Sequence, residues 1–158
     1  MHDSITPARG DLLRVLRLRG DSDALEQVYV EYLAALDRAC QSPDADASVM
    51  RALAVELIDC EVTSLRDPAR ALEIAELACA EVEAAGGADL WLNLDTLARA
   101  QHRNGDTAKA TDTVRRAIAL VPAGADAATV DEMQSRLQAF EAELAAPPVA
   151  AEEPDRQP

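Results

Sequence analysis

Arginine supplies nearly all the cationic chemistry of this chain: fourteen of its fifteen basic residues are arginines, and Lys109 is the single lysine. Arg99 and Arg103, with Asp95 and His102, fall on the side of one helical segment opposite Leu90, Leu94 and Leu97. Arg51 and Val55 hold the corresponding side of an earlier segment. A guanidinium presents paired N–H donors that fit a carboxylate bidentately, so a basic strip inside an acidic chain is chemistry for holding an acidic segment or a C-terminal carboxylate. The competing reading is that the same arginines pair with neighbouring Asp and Glu on a solvated helix face.

Other reactive residue types occur without the company that catalysis needs. His102 is the only histidine away from the N-terminus, and one imidazole without thiolate or carboxylate partners at fitting positions makes no metal site. Cys40, Cys60 and Cys79 stand singly about twenty residues apart, with no CxxC, and read as small buried spacers. Ser-His-Asp spacing, a phosphate-cradling glycine loop and a paired-carboxylate motif are all missing. The expectation is a protein with no catalytic residues, no cofactor and no metal. Trp91, the lone tryptophan, follows Gly86-Gly87 at a helix start. It is either a rim contact for a ligand or buried between the loop and the helices behind it.

Charge narrows the partners. The formal net charge is -14, from 15 basic against 29 acidic residues, which repels phosphate backbones and anionic lipid headgroups. No nucleic acid and no membrane is expected as a partner. No apolar run reaches the length of a signal peptide or a membrane span. With an odd number of unpatterned cysteines, that fits a reducing, cytoplasmic setting.

These residues need helices to position them. Ala, Leu and Glu dominate and aromatics amount to 3%, a composition that favours an all-α fold and starves a sheet of cross-strand partners. Helical periodicity recurs between short punctuators and predicts about seven helices: 10–19, 22–41, 46–60, one starting from Asp67 as N-cap with Pro68 at the first helical position, 89–104, one from Asp106 or Thr107 to Pro122, and 126–145. The second carries a stripe of Leu25, Tyr29, Tyr32, Leu36 and Cys40. The last carries Val130, Met133, Leu137, Phe140 and Leu144 at alternating steps of three and four. Residues 1–9 and 146–158 have no periodicity and read as disordered tails around one domain, 10–145.

Two stretches align with each other. Leu53-Ala54 followed by Ala71, Ala75 and Ala78 matches Leu97-Ala98 followed by Ala110, Val114, Ala117 and Pro122. Ala71 and Ala110 are 39 positions apart. Small residues recur at these places because paired helices must approach closely. The pattern resembles the tetratricopeptide repeat family, with Leu94, Leu97, Ala98, Gly105, Ala110, Val114, Ala117 and Pro122 in signature positions. Leu94 and Gln101 replace the family's usual Trp and Tyr. The best repeat is 89–122, and a degenerate copy at 46–85 has five more residues between its helices. Residues 10–41 form a weaker third pair around Gly20. The longer turn ending Leu65-Arg66-Asp67-Pro68 looks like helix pairs near the C-termini of bacterial signalling and redox proteins.

The resemblance implies antiparallel helix pairs stacked as a short solenoid, capped by 126–145, whose first helices line a concave groove for an extended peptide or partner helix. In that groove Arg51, Arg99 and Arg103 would converge. The function implied is a non-enzymatic interaction scaffold. The alternatives are a self-associating helical module, joined through helix 2 or helix 7, and a small-ligand sensor or enzyme without a recognisable motif.

Overall fold

The structure is a computed structural model that describes residues 5–43 and 45–146. It is all-helical among these residues: α1 (Ile5–Arg19), α2 (Ser22–Cys40), α3 (Ala47–Asp59), α4 (Pro68–Ala84), α5 (Leu90–Arg103), α6 (Thr107–Ala119) and α7 (Ala127–Ala145), with one 3-10 turn at Thr63–Leu65. Aspartates set most of the starts. Asp21, Asp46, Asp67, Asp106 and Asp126 each accept a backbone N–H of the first turn through the side chain, relieving donors that have no partner within the helix. Pro68 follows Asp67 at the first helical position as expected.

One start differs from the sequence reading. α1 begins at Ile5, five residues before the expected 10, so residues 5–9 of the tail read as disordered are helical. Pro7 is tolerated there because a first-turn N–H has no intrahelical acceptor in any case. Residues 1–4 and 147–158, the remainder of the two tails beyond Ala146, lie outside the described residues.

Each helix packs on the next in sequence, and α3 also touches α5. Three apolar clusters result. The first joins Cys79, Trp91, Leu94, Ala98, Ala110, Val114, Ala117, Met133 and Phe140. The second joins Leu36, Leu53, Ala54, Leu57, Ile58, Ala71, Ala75 and Ala100. The third is a smaller group of Leu13, Tyr29 and Cys60. Ala54, Ala71, Ala98, Ala100, Ala110 and Ala117 have no exposed surface. The absence of bulk at these positions lets the α3, α4, α5 and α6 backbones come together.

α5 is enclosed more than its expected stripe implies. Trp91, Asn93, Leu94, Thr96, Ala98 and Ala100 are all buried, because α3, α4 and α6 all press on it. Its last turn ends at Asn104 and Gly105. Gly105 holds φ at +84° and donates to His102 O at 2.9 Å, a left-handed C-cap that favours glycine. The long turn between α3 and α4 is closed by Asp67 N donating to Leu57 O (3.0 Å) and Arg66 Nε to Cys60 O (2.7 Å).

Candidate functional site

Of the residues singled out in the sequence, Arg51, Arg99, His102 and Arg103 line two cavities at opposite ends of α5. The first, about 290 Å³, is lined by Ile58 and Asp59 from the end of α3, Arg99, His102 and Arg103 from the end of α5, and Arg136 and Phe140 from α7. Steps of three and four on α5 put Arg99, His102 and Arg103 on one face. α7 brings Arg136 to the same place because Met133 and Phe140, three and four residues to either side, are buried in the α5–α6 core.

Three guanidinia therefore meet around a space lined by a single carboxylate. Arg99 and Arg103 share Asp59, Arg99 in a close ion pair and Arg103 at 3.3 Å. The pairing with neighbouring carboxylates raised above is real, yet one Asp serves two arginines. Arg136 pairs with Asp95. Loss of hydration, with Arg136 and Arg103 close by, brings the Arg99 guanidinium down to about 10, so it stays protonated at neutral pH. Asp95 moves the other way: its burial raises it above the ordinary carboxylate value, against the pull of Arg136. These two are not on an open solvated face, since the Arg99 and Asp95 side chains are only 22% and 14% exposed.

His102 is fixed from both sides. Its ring stacks on Phe140, with centroids 4.4 Å apart, and Nε2 donates to Glu143 Oε2 at 2.7 Å. Thr107 donates to the other oxygen of the same carboxylate at 2.6 Å. The histidine is thereby a wall of the cavity and a clasp between α5 and α7.

The fold does not bring Arg51, Arg99 and Arg103 to one cavity, contrary to expectation. Arg51 does not join Arg99 and Arg103; it lines the second cavity, at the start of α3, while keeping an electrostatic hold on Asp95. Val55 is half-buried on α3 and lines neither cavity. Arg136 takes the third place. Its spacing within α7 gave no signal, because the polar side of that helix reads as solvent until the fold lays it against α5. Trp91 is a correction of another kind. It is 7% exposed and sits in the core with Leu94, Met133 and Phe140, so the rim-contact reading falls and the buried one holds.

The second cavity, about 280 Å³, lies where α3 begins, α4 ends and α5 begins. Asp46, Ser48, Arg51, Glu81, Val82, Asp89 and Asn93 are among its lining residues. Cys60 and Cys79 are buried and Cys40 is half-buried, all as free thiols, in keeping with their reading as spacers. Burial pushes the Cys79 thiol up to about 11. Among the described residues no group of His, Cys, Asp and Glu is placed to hold a metal ion, and no helix is long and apolar enough to cross a membrane. No family model, curated protein or solved structure matches the chain.

Proposed function

We propose that this chain is a non-enzymatic interaction scaffold of tetratricopeptide-like helix pairs that holds a protein partner by an acidic segment or C-terminal carboxylate seated among Arg99, Arg103 and Arg136. The carrying observation is the meeting of three guanidinia in the lining of a cavity of about 290 Å³ whose one lining carboxylate is Asp59, with Asp95 pairing Arg136 from behind, in a protein whose overall charge is -14. Buried stems and shared ion pairs hold the arginine forks in place before a ligand arrives, which lowers the entropy lost on binding. The helix-pair arrangement is supported by neighbour-to-neighbour packing and by the contact of α3 with α5, the next helix but one.

The test is fluorescence anisotropy with peptides selected from a random library that ends in free carboxylates. Each selected peptide should bind at least about tenfold more tightly than its C-terminal amide, a difference of ~1.4 kcal/mol. Arg103→Glu should abolish the difference; Arg103 is half exposed, so this variant spares the core. Equal binding of acid and amide forms would sink the reading.

Self-association remains a second reading, on a different helix from those expected. Leu12, Val15 and Leu18 of α1 are exposed, Leu18 at 82%. On α7 the stripe is partly used up by Met133 and Phe140 in the core, leaving Leu144 outside. On α2 Val30 is the exposed apolar residue. Exposed apolar surface of this kind drives association when it is contiguous. A strict monomer by light scattering at high concentration rules this reading out.

A further inference from the structure

The second cavity has the opposite sign to the first. Asp46, Glu81 and Asp89 line it against one guanidinium, Arg51. Asp46 is engaged as the N-cap of α3, accepting from Ser48 N (3.0 Å), Val49 N (3.1 Å) and Ser48 Oγ. Glu81 and Asp89 have no ion-pair partner among the described residues, and the Asp89 side chain caps nothing. Arg51 is the one cation of the lining, and its charge also reaches Asp95.

The most buried residue of the lining is Asn93, 3% exposed. Its Nδ2 donates to Asp89 O at 3.0 Å, which fixes the orientation of the amide and leaves Oδ1 as an acceptor with no partner. A buried acceptor without a donor costs about 1–3 kcal/mol and marks a place where a donor is missing. The last turn of α4 also borders the cavity through Val82 and Ala85, and a helix C-terminus favours positive charge. The α3 N-terminus opposes it but is already satisfied by Asp46.

We propose that this cavity is a binding site for a primary ammonium group, a lysine side chain of the partner, held by Glu81 and Asp89 at the mouth and by Asn93 Oδ1 within. Joined to the carboxylate reading above, on which only this second step rests, it gives the bound segment a polarity. Asn93 and Arg103 are ten residues apart on α5, about 15 Å at 1.5 Å per residue. An extended chain covers that distance in roughly four to five residues at about 3.3 Å each. The preferred ligand carries its free carboxylate among Arg99, Arg103 and Arg136, and a lysine four to five residues before it.

Two measurements on the full chain separate the steps. In the first, the side-chain amide resonances of Asn93 are followed by NMR during titration with Nα-acetyl-lysine N-methylamide and with its norleucine analogue. The lysine compound should shift them and the norleucine compound should not. The isosteric pair Glu81→Gln with Asp89→Asn should abolish the shift. Glu73→Gln with Glu76→Gln, lining neither cavity, should preserve it. No shift, or the same shift with norleucine, overturns the ammonium site whatever the arginines do.

In the second, a peptide with a lysine five residues before its free carboxylate is compared with its norleucine and its amidated forms. The lysine should add about tenfold in affinity. Dependence on the carboxylate without dependence on lysine overturns the two-ended arrangement and leaves the carboxylate reading standing. Dependence on lysine alone does the reverse.

Discussion

Asp95 and Arg136 show how much depends on one pair. Both side chains are largely enclosed, and each is the other's ion-pair partner. Removing the guanidinium leaves a carboxylate that burial already pushes towards protonation. Arg136→Ala should therefore cost about 2–3 kcal/mol in urea unfolding, below the roughly 3–5 kcal/mol for breaking a fully buried pair because a fifth of Arg136 is exposed. Asp95→Leu with Arg136→Leu should recover most of it. A loss in the double variant equal to that in the single one would show that the cost does not come from a stranded Asp95 carboxylate. The thiols make a second residue-scale test. With Ellman's reagent on the native protein Cys40 should react first, and Cys79, held as a thiol by its burial, should wait for unfolding. At this scale the spacing of Arg99, His102 and Arg103 was legible, since three and four are the steps of a helix face. Arg136 was not, because a contact between positions 99 and 136 is made by packing and leaves no mark in local spacing.

At the scale of the element, small residues and caps carry the information. Ala98 and Ala110 are fully buried where α5 meets α6, and Leu at position 98 should destabilise by about 1–3 kcal/mol through overpacking. A stability within error of the native protein would mean that the seam has slack. α1 is attached by Leu13 and Leu16 in the interior and by Arg17, whose Nε donates to Glu61 at 2.8 Å. That bond holds the Glu61 carboxyl below its ordinary 4.5. A carboxylate lowered on folding stabilises above its unfolded pKa and loses the effect as pH falls through the folded one. Glu61→Gln should thus lower the melting temperature slightly at neutral pH and leave it nearly unchanged at the acid end, which flattens the profile between them. Six of the seven helix starts could be read in the sequence to within a residue or so, because Asp capping and proline are local signals. α1 could not, since Pro7 reads as a breaker unless the first turn is known to begin before it.

At the scale of the molecule each helix packs on its neighbours in sequence, and α7 contributes to the C-terminal apolar cluster. Met133 and Phe140 enter the cluster built by α5 and α6. Phe140→Ala removes a buried ring and the stacking partner of His102 at once, for an expected cost of about 3–5 kcal/mol. It should also loosen the arginine cavity that Phe140 lines. All-helical architecture was legible from composition and period. Which helices share a cavity was not, because that depends on the angle at which each helix lands on the one before.

The burial of Trp91 under α7 gives the protein a built-in optical gauge. The single indole lies in one apolar cluster with Met133 and Phe140, while Tyr29 and Tyr32 of α2 belong to the other two. Emission excited at the red edge of absorption comes from the C-terminal helices alone, and tyrosine emission is weighted to the N-terminal ones. Unfolding followed at both wavelengths reads the two halves of the molecule separately, without a label. Coincident curves mean that the helices melt as one, and a red shift that precedes the tyrosine change means that the C-terminal cluster opens first.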